Sequence, residues 1–141
     1  MSLQNAAGNP VPFSTVPAPQ IWALGDQPVY QVITENNWSR FYAAAPQGAN
    51  FSASIFVVAS LGMKPNPGYR VNIAQISRQG DEVTVSVEQL RPAAGQIYAQ
   101  VLVHPVAVAE IKKSDLHPYK SLQFSFVDQT GRRLGQAKLE L

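Results

Sequence analysis

The sequence has no cysteine, so disulfides, thiolate catalysis and cysteine-held metal sites are excluded. That absence leaves the compartment open, since exported domains also do without cysteine. Charge is sparse: 14% of residues are Asp, Glu, Lys or Arg, and the net charge is +2. Lys112-Lys113 and Arg132-Arg133 are the only adjacent basic pairs. A nucleic-acid binder concentrates basic side chains in a stripe with aromatics between them, and no stretch here does so. Nucleic acid is therefore not an expected partner. Long apolar runs are missing too. Ile55 to Ala59 with its neighbours falls far short of a bilayer's thickness, so no direct membrane span is expected. Met1 to Asn5 lacks the basic-then-apolar order of a secretion signal. The "MSL" start reads as an added one, which implies that a native leader has been trimmed.

Catalytic and metal-binding patterns are equally scarce. The two histidines, His104 and His117, are each followed by proline and stand in different segments. They offer neither zinc-ligand spacing nor a base beside a marked nucleophile. No G-x-S-x-G surrounds a serine. The nine acidic residues are dispersed, with no calcium loop. "GMKPNPG" sets a lysine among glycines, but a phosphate cradle needs G-x-x-x-x-G-K-[ST] running into a helix, and here a strand follows. These absences predict no enzyme, no cofactor and no metal.

What is present is a chain of 141 residues, 45% of them hydrophobic, enough for one domain with a real core. Residues 1–20 hold four prolines and no charged side chain. They read as the body of an extended, flexible tether over 1–24, ahead of a single domain over 25–141. "PVYQVI" alternates as a strand. Trp38, Phe41, Tyr42 and Ala45 then recur at helical spacing, with Thr34 or Asn36 as cap and Pro46 and Gly48 as stop. That stripe is read as core.

From Phe51 onward the pattern is β. Ala53 to Leu61 is an apolar run suited to a central strand. Tyr69 to Ile76 alternates, Gln79-Gly80-Asp81 turns, and Val83, Val85 and Val87 alternate with polar residues. Ile97, Ala99, Val101 and Val103 read as one face of a further strand, and Val106 to Ile111 resumes after Pro105. Leu122, Phe124 and Phe126 open a last hairpin over 114–141. The reading is a mostly β fold, a β-sandwich or partly open barrel of about seven to nine antiparallel strands with one short helix. Trp38, Phe41, Val57, Val71, Val85 and Val101 are expected to be buried together.

Between two of these strands lies "SLGMKPNPGYRV", a turn in which Gly68 is expected to need a positive φ. "VITENNWSRFYAA", "ANFSASIFVVASLGMKPNPGYRVNIAQI", "DEVTVSVEQLRPAAG" and "AQVLVHPVAVAEIKK" together resemble the C-terminal domain family of the protease-complex subunit PrcB, over about Val32 to Lys113. That family has a Trp-bearing helix, an apolar strand, a turn written T-G-G-Y, a valine-rich hairpin and a closing strand. Here Asn66-Pro67-Gly68-Tyr69 replaces T-G-G-Y. Pro67 has no N–H and a fixed φ, so a backbone contact through that position is not carried over. The resemblance implies a non-catalytic, protein-binding module in the periplasm or outer cell envelope. It implies a protein partner associated with proteolysis, and a lipid anchor upstream.

"KPNPGY" and "LRPAAG" also resemble, in the same chain order, two loops of chagasin-type cysteine-peptidase inhibitors, which have an immunoglobulin-like fold. The aromatic that follows R-P in those inhibitors is Ala93 here. This resemblance implies the alternative of a peptidase inhibitor acting through the Lys64–Tyr69 loop. The candidate partner-binding residues are therefore Lys64, Pro65, Asn66, Pro67, Gly68, Tyr69, Arg91 and Pro92.

Overall fold

Alternation along the chain sorts side chains to the two faces of each strand, and the apolar sets meet between two sheets. The computed structural model describes residues 8–16, 27–38, 51–118 and 120–140. In chain order its strands are β1 (Asn9–Pro10), β2 (Ser14–Val16), β3 (Val29–Ile33), β4 (Ser54–Ser60), β5 (Arg70–Gln79), β6 (Glu82–Leu90), β7 (Val106–Lys112), β8 (Ser121–Val127) and β9 (Arg133–Glu140). One sheet has the order β1-β5-β6-β8-β9 and the other β2-β7-β4-β3. The β-sandwich reading is borne out.

Val83, Val85 and Val87 of β6 point inward beside Val71, Ile73 and Ile76 of β5 and Leu122, Phe124 and Phe126 of β8. They meet Ile55, Val57 and Ala59 of β4 and Ala109 and Ile111 of β7. The five-stranded sheet turns polar side chains such as Thr84, Ser86 and Gln123 outward. The four-stranded sheet differs, because β4 is buried along its whole length. Its outer face carries Phe56 and Val58, clustered with Ile33 and Val108 and with the half-buried Trp38 and Phe51. A strand covered on both faces reads as a continuous apolar run, which is the pattern of "SIFVVAS".

One pairing departs from the antiparallel expectation: β6 and β8 run parallel. The chain leaves β6, descends the opposite sheet along β7, and re-enters beside β6 from the end where β6 began. β7 with the 3₁₀ turn Lys113–Asp115 thus acts as the crossover.

The open sides of the sandwich are dealt with differently. On one side β3 approaches β9, close enough that a Cβ on Gly135 would lie 3.1 Å from the Cβ of Tyr30. On the other, residues 9–16 step from β5 of one sheet to β7 of the other. Val11 is buried in the core at that step, and its N–H donates to Ile76 O at 2.8 Å. Within the stretch read as a tether over 1–24, residues 9–10 and 14–16 are strand-paired. Pro10 and Pro12 fit there because edge positions tolerate a missing N–H.

Of the helix read from Thr34, the described residues reach Trp38 and show a turn. Thr34 O accepts from Asn37 and Trp38 N–H, and Thr34 Oγ1 accepts from Asn36 N–H at 3.2 Å, as a cap does. Phe41, Tyr42 and Ala45 lie outside the described residues. Trp38 packs on the outer cluster and not with Val57, Val71 and Val85, which corrects that part of the core expectation.

Candidate functional site

Asn66 organises the turn between β4 and β5. Its side-chain Oδ1 accepts from Gly68 N–H at 2.9 Å, and its carbonyl accepts from Tyr69 N–H at 3.4 Å. Pro65 and Pro67 fix φ on either side of it. Lys64 is tied to Val103 by two backbone bonds, of 2.8 and 2.9 Å. Its ammonium stands 5.3 Å from the centroid of the Tyr69 ring, within cation–π range. Tyr69 is half-buried and packs against the core, so it is both a strand-start core residue and a ring reaching the surface.

Gly68 is not at positive φ; among the described residues Gly62, Gly80, Gly95 and Gly131 are. The expected conformational demand is corrected: what requires glycine is proximity. A Cβ there would lie 2.9 Å from Pro92 Cγ and 2.9 Å from two ring atoms of Tyr98. The Lys64–Tyr69 turn is thereby packed directly against the loop that begins at Arg91 and Pro92. The candidate residues of the two loops are brought together, with Arg91 exposed beside the contact.

The second loop also differs from its reading. No strand forms over Ile97 to Val103; the only pairing there is the bridge of Val103 to Lys64. Ile97 is 97% exposed, Leu102 64% and Val101 55%, so Val101 is not a core residue. The segment is nevertheless braced. Ala93 O accepts from Gln96 N–H at 3.1 Å, Ala99 O accepts from Val101 N–H at 2.9 Å, and Tyr98 lies on Gly68. Beside it a shallow hollow of about 310 Å³ runs between Pro67, Tyr69 and Arg70 on one wall and Val103 and His104 on the other.

Sequence reasoning missed Ile97, Tyr98, Leu102 and Met63 as surface residues. A signal was present. Tyr98 and Leu102 fall on the face opposite Ile97 and Val101, so large apolar side chains stand among Gln96, Gln100 and His104 on the face that should be polar. A half-buried strand would be polar on one face.

The electrostatics of this end are one-sided. Residues 53–80 and 89–109 contain no Asp or Glu, while Lys64, Arg70 and Arg91 border the loops. Glu88, ahead of the second of these segments, accepts from the Asn72 amide at 3.3 Å. Asp128 accepts from Thr130 N–H and Oγ1–H and from Arg132 N–H through Oδ1. The Thr130 hydroxyl holds the Asp128 carboxyl below the usual carboxylate range. His104 and His117 border separate hollows. Among the described residues no three His, Asp or Glu side chains cluster as metal ligands, and no helix is long and apolar enough to cross a membrane.

Residues 55–112 match the family described as PrcB C-terminal, which bears out the resemblance read from the sequence. The match runs from β4 to the end of β7 and so contains the turn, the braced loop and their contact. No curated protein and no solved structure matches the chain.

Proposed function

We propose that this chain, whose residues 55–112 carry the PrcB C-terminal pattern, is a non-catalytic protein-binding module associated with a protease complex of the bacterial cell envelope. The family supports association with proteolysis. It supports a non-catalytic role in that its name is that of an accessory subunit rather than of an enzyme. The observation that carries the site is the packing of the Lys64–Tyr69 turn on the Arg91–Pro92 loop through Gly68. Two loops fixed by prolines, an Asx turn and a backbone bridge lose little entropy on docking. A partly open aromatic beside them offers an anchor of the type that dominates binding energy. We place the module outside the cytoplasm, held by a lipid anchor elsewhere in the protein, on the strength of the family resemblance.

The test is a pull-down from envelope extract with the parent and with the double variant Asn66→Ala, Arg91→Ala. The parent should retain a protease or a subunit of its complex, and the variant should lose it. Equal retention by both would exclude the loop end as the docking surface. Inhibition of that peptidase by the purified chain would favour the inhibitor reading.

A further inference from the structure

We infer that the braced loop around Ile97 and Leu102 is itself the anchor of docking, and that its partner is a protein surface with an apolar hollow rimmed by carboxylates. This rests on the protein-binding reading above and names the partner's chemistry. Ile97, Val101 and Leu102 of this loop and Met63 of the turn, two segments joined by the Lys64–Val103 bridge, are four large apolar side chains in solvent. Folded monomers rarely leave such a cluster uncovered unless it binds. Lys64 and Arg70 stand in the turn and Arg91 at the start of the loop, and no carboxylate occurs in the segments that build the two. Charge complementarity therefore asks for an acidic rim around an apolar centre. The bracing favours a protein over a lipid surface. Two turns, the Lys64–Val103 bridge and the seating of Tyr98 on Gly68 hold the loop's backbone in one arrangement. Preorganisation gains affinity only against a partner with a matching shape.

The probe is a random peptide library displayed on phage, selected on the parent chain, with enriched clones remade as free peptides. The parent should enrich peptides that join a large apolar side chain to neighbouring carboxylates, with affinity falling as salt rises. Ile97→Ser, Leu102→Ser should weaken them by about thirtyfold or more, the loss of at least one hot-spot side chain. The exposure of both residues predicts an unchanged melting temperature for this pair, and Thr84→Ser on the polar face should bind as the parent does. Peptides lacking acids, or held equally by the Ser pair, would overturn the inference. If Asn66→Ala, Arg91→Ala abolishes binding while the Ser pair keeps it, this inference fails and the turn-based reading stands. Failure to enrich any peptide would overturn both. Sedimentation of the parent with phosphatidylcholine–phosphatidylglycerol vesicles, lost in the Ser pair, would overturn the assignment in favour of lipid. Self-association lost in the Ser pair would overturn it in favour of a second copy.

Discussion

Replacing Gly68 by alanine tests the contact that joins the two loops. The added methyl would stand 2.9 Å from Pro92 Cγ and from Tyr98 Cε2 and Cζ. That is about half an ångström or more inside the roughly 3.5–4.0 Å optimum for carbon pairs. The backbone itself imposes no penalty, because Gly68 is not at positive φ. Pro92 is a stiff ring fixed to the main chain, whereas the half-buried Tyr98 ring can swing outward. Overpacking of this kind costs about 1–3 kcal/mol. Alanine restricts the unfolded chain and recovers about 0.4–1 kcal/mol of that. The net expectation is a loss of about 0.5–2 kcal/mol, read from urea unfolding. The diagnostic step is to repeat the change in a Tyr98→Ala background. With that ring gone the alanine methyl has room on one side, and the cost should shrink by about half or more, a coupling expected of residues in contact. An equal loss in both backgrounds would place the cost elsewhere and refute the proximity argument.

Phe124→Ala, at the fully buried centre of the core, should lose about 3–5 kcal/mol in urea unfolding, and Val85→Ala about 1–3 kcal/mol. Val101→Ala, in solvent, should stay within about 0.5 kcal/mol of the parent. Val11→Ala should cost about 1–3 kcal/mol if residues 9–16 strap the sandwich; a melt unchanged from the parent would leave that segment a free tether. Burial raises the Tyr30 hydroxyl above its ordinary 10.0, with the Gln89 hydrogen bond opposing and the Asp128 charge assisting. A raised acid contributes stability that is present below the unfolded value and is lost as pH rises through the folded one. Stability should therefore fall on the alkaline side of 10.0, and Tyr30→Phe should flatten that limb in a pH series of unfolding curves.

Much of the sandwich was legible because its causes are local. Val83, Val85 and Val87 alternate, Gly80 marks the β5–β6 hairpin with φ 61°, and "SIFVVAS" is apolar on both faces because both are covered. What escaped has causes distant in sequence. The parallel β6–β8 pair follows from β7 acting as crossover, and no property of β8 alone announces its direction. The pairing of residues 9–10 and 14–16 escaped because proline-rich edge strands and proline-rich linkers share a composition. Trp38 has the periodicity of a core residue, but periodicity does not say which of two apolar clusters it joins. The need for glycine at 68 lies in the rings of Pro92 and Tyr98, which the turn's own sequence cannot reveal.

The failures within the matched region fall together at the loop end, and there they are informative. Ile97 and Val101 read as strand because their spacing satisfies the period of two, yet they take no partner and stand in solvent. A sequence usually agrees with its fold at every level, and disagreement tends to mark residues retained for something other than stability. The core explains neither their composition nor their position: every strand of the sandwich closes without them. The brace that holds them makes the same point. Lys64 and Val103 spend both backbone groups on a single isolated bridge, and Gly68 gives up a side chain so that Pro92 and Tyr98 can seat against it. Solvent-exposed apolar residues with no task would be cheaper to leave on a loose loop, or to replace with polar ones. Held in place on a loop that begins at Arg91 and is bridged to the turn of Lys64 and Arg70, they form a surface whose remaining requirement is a partner to cover it.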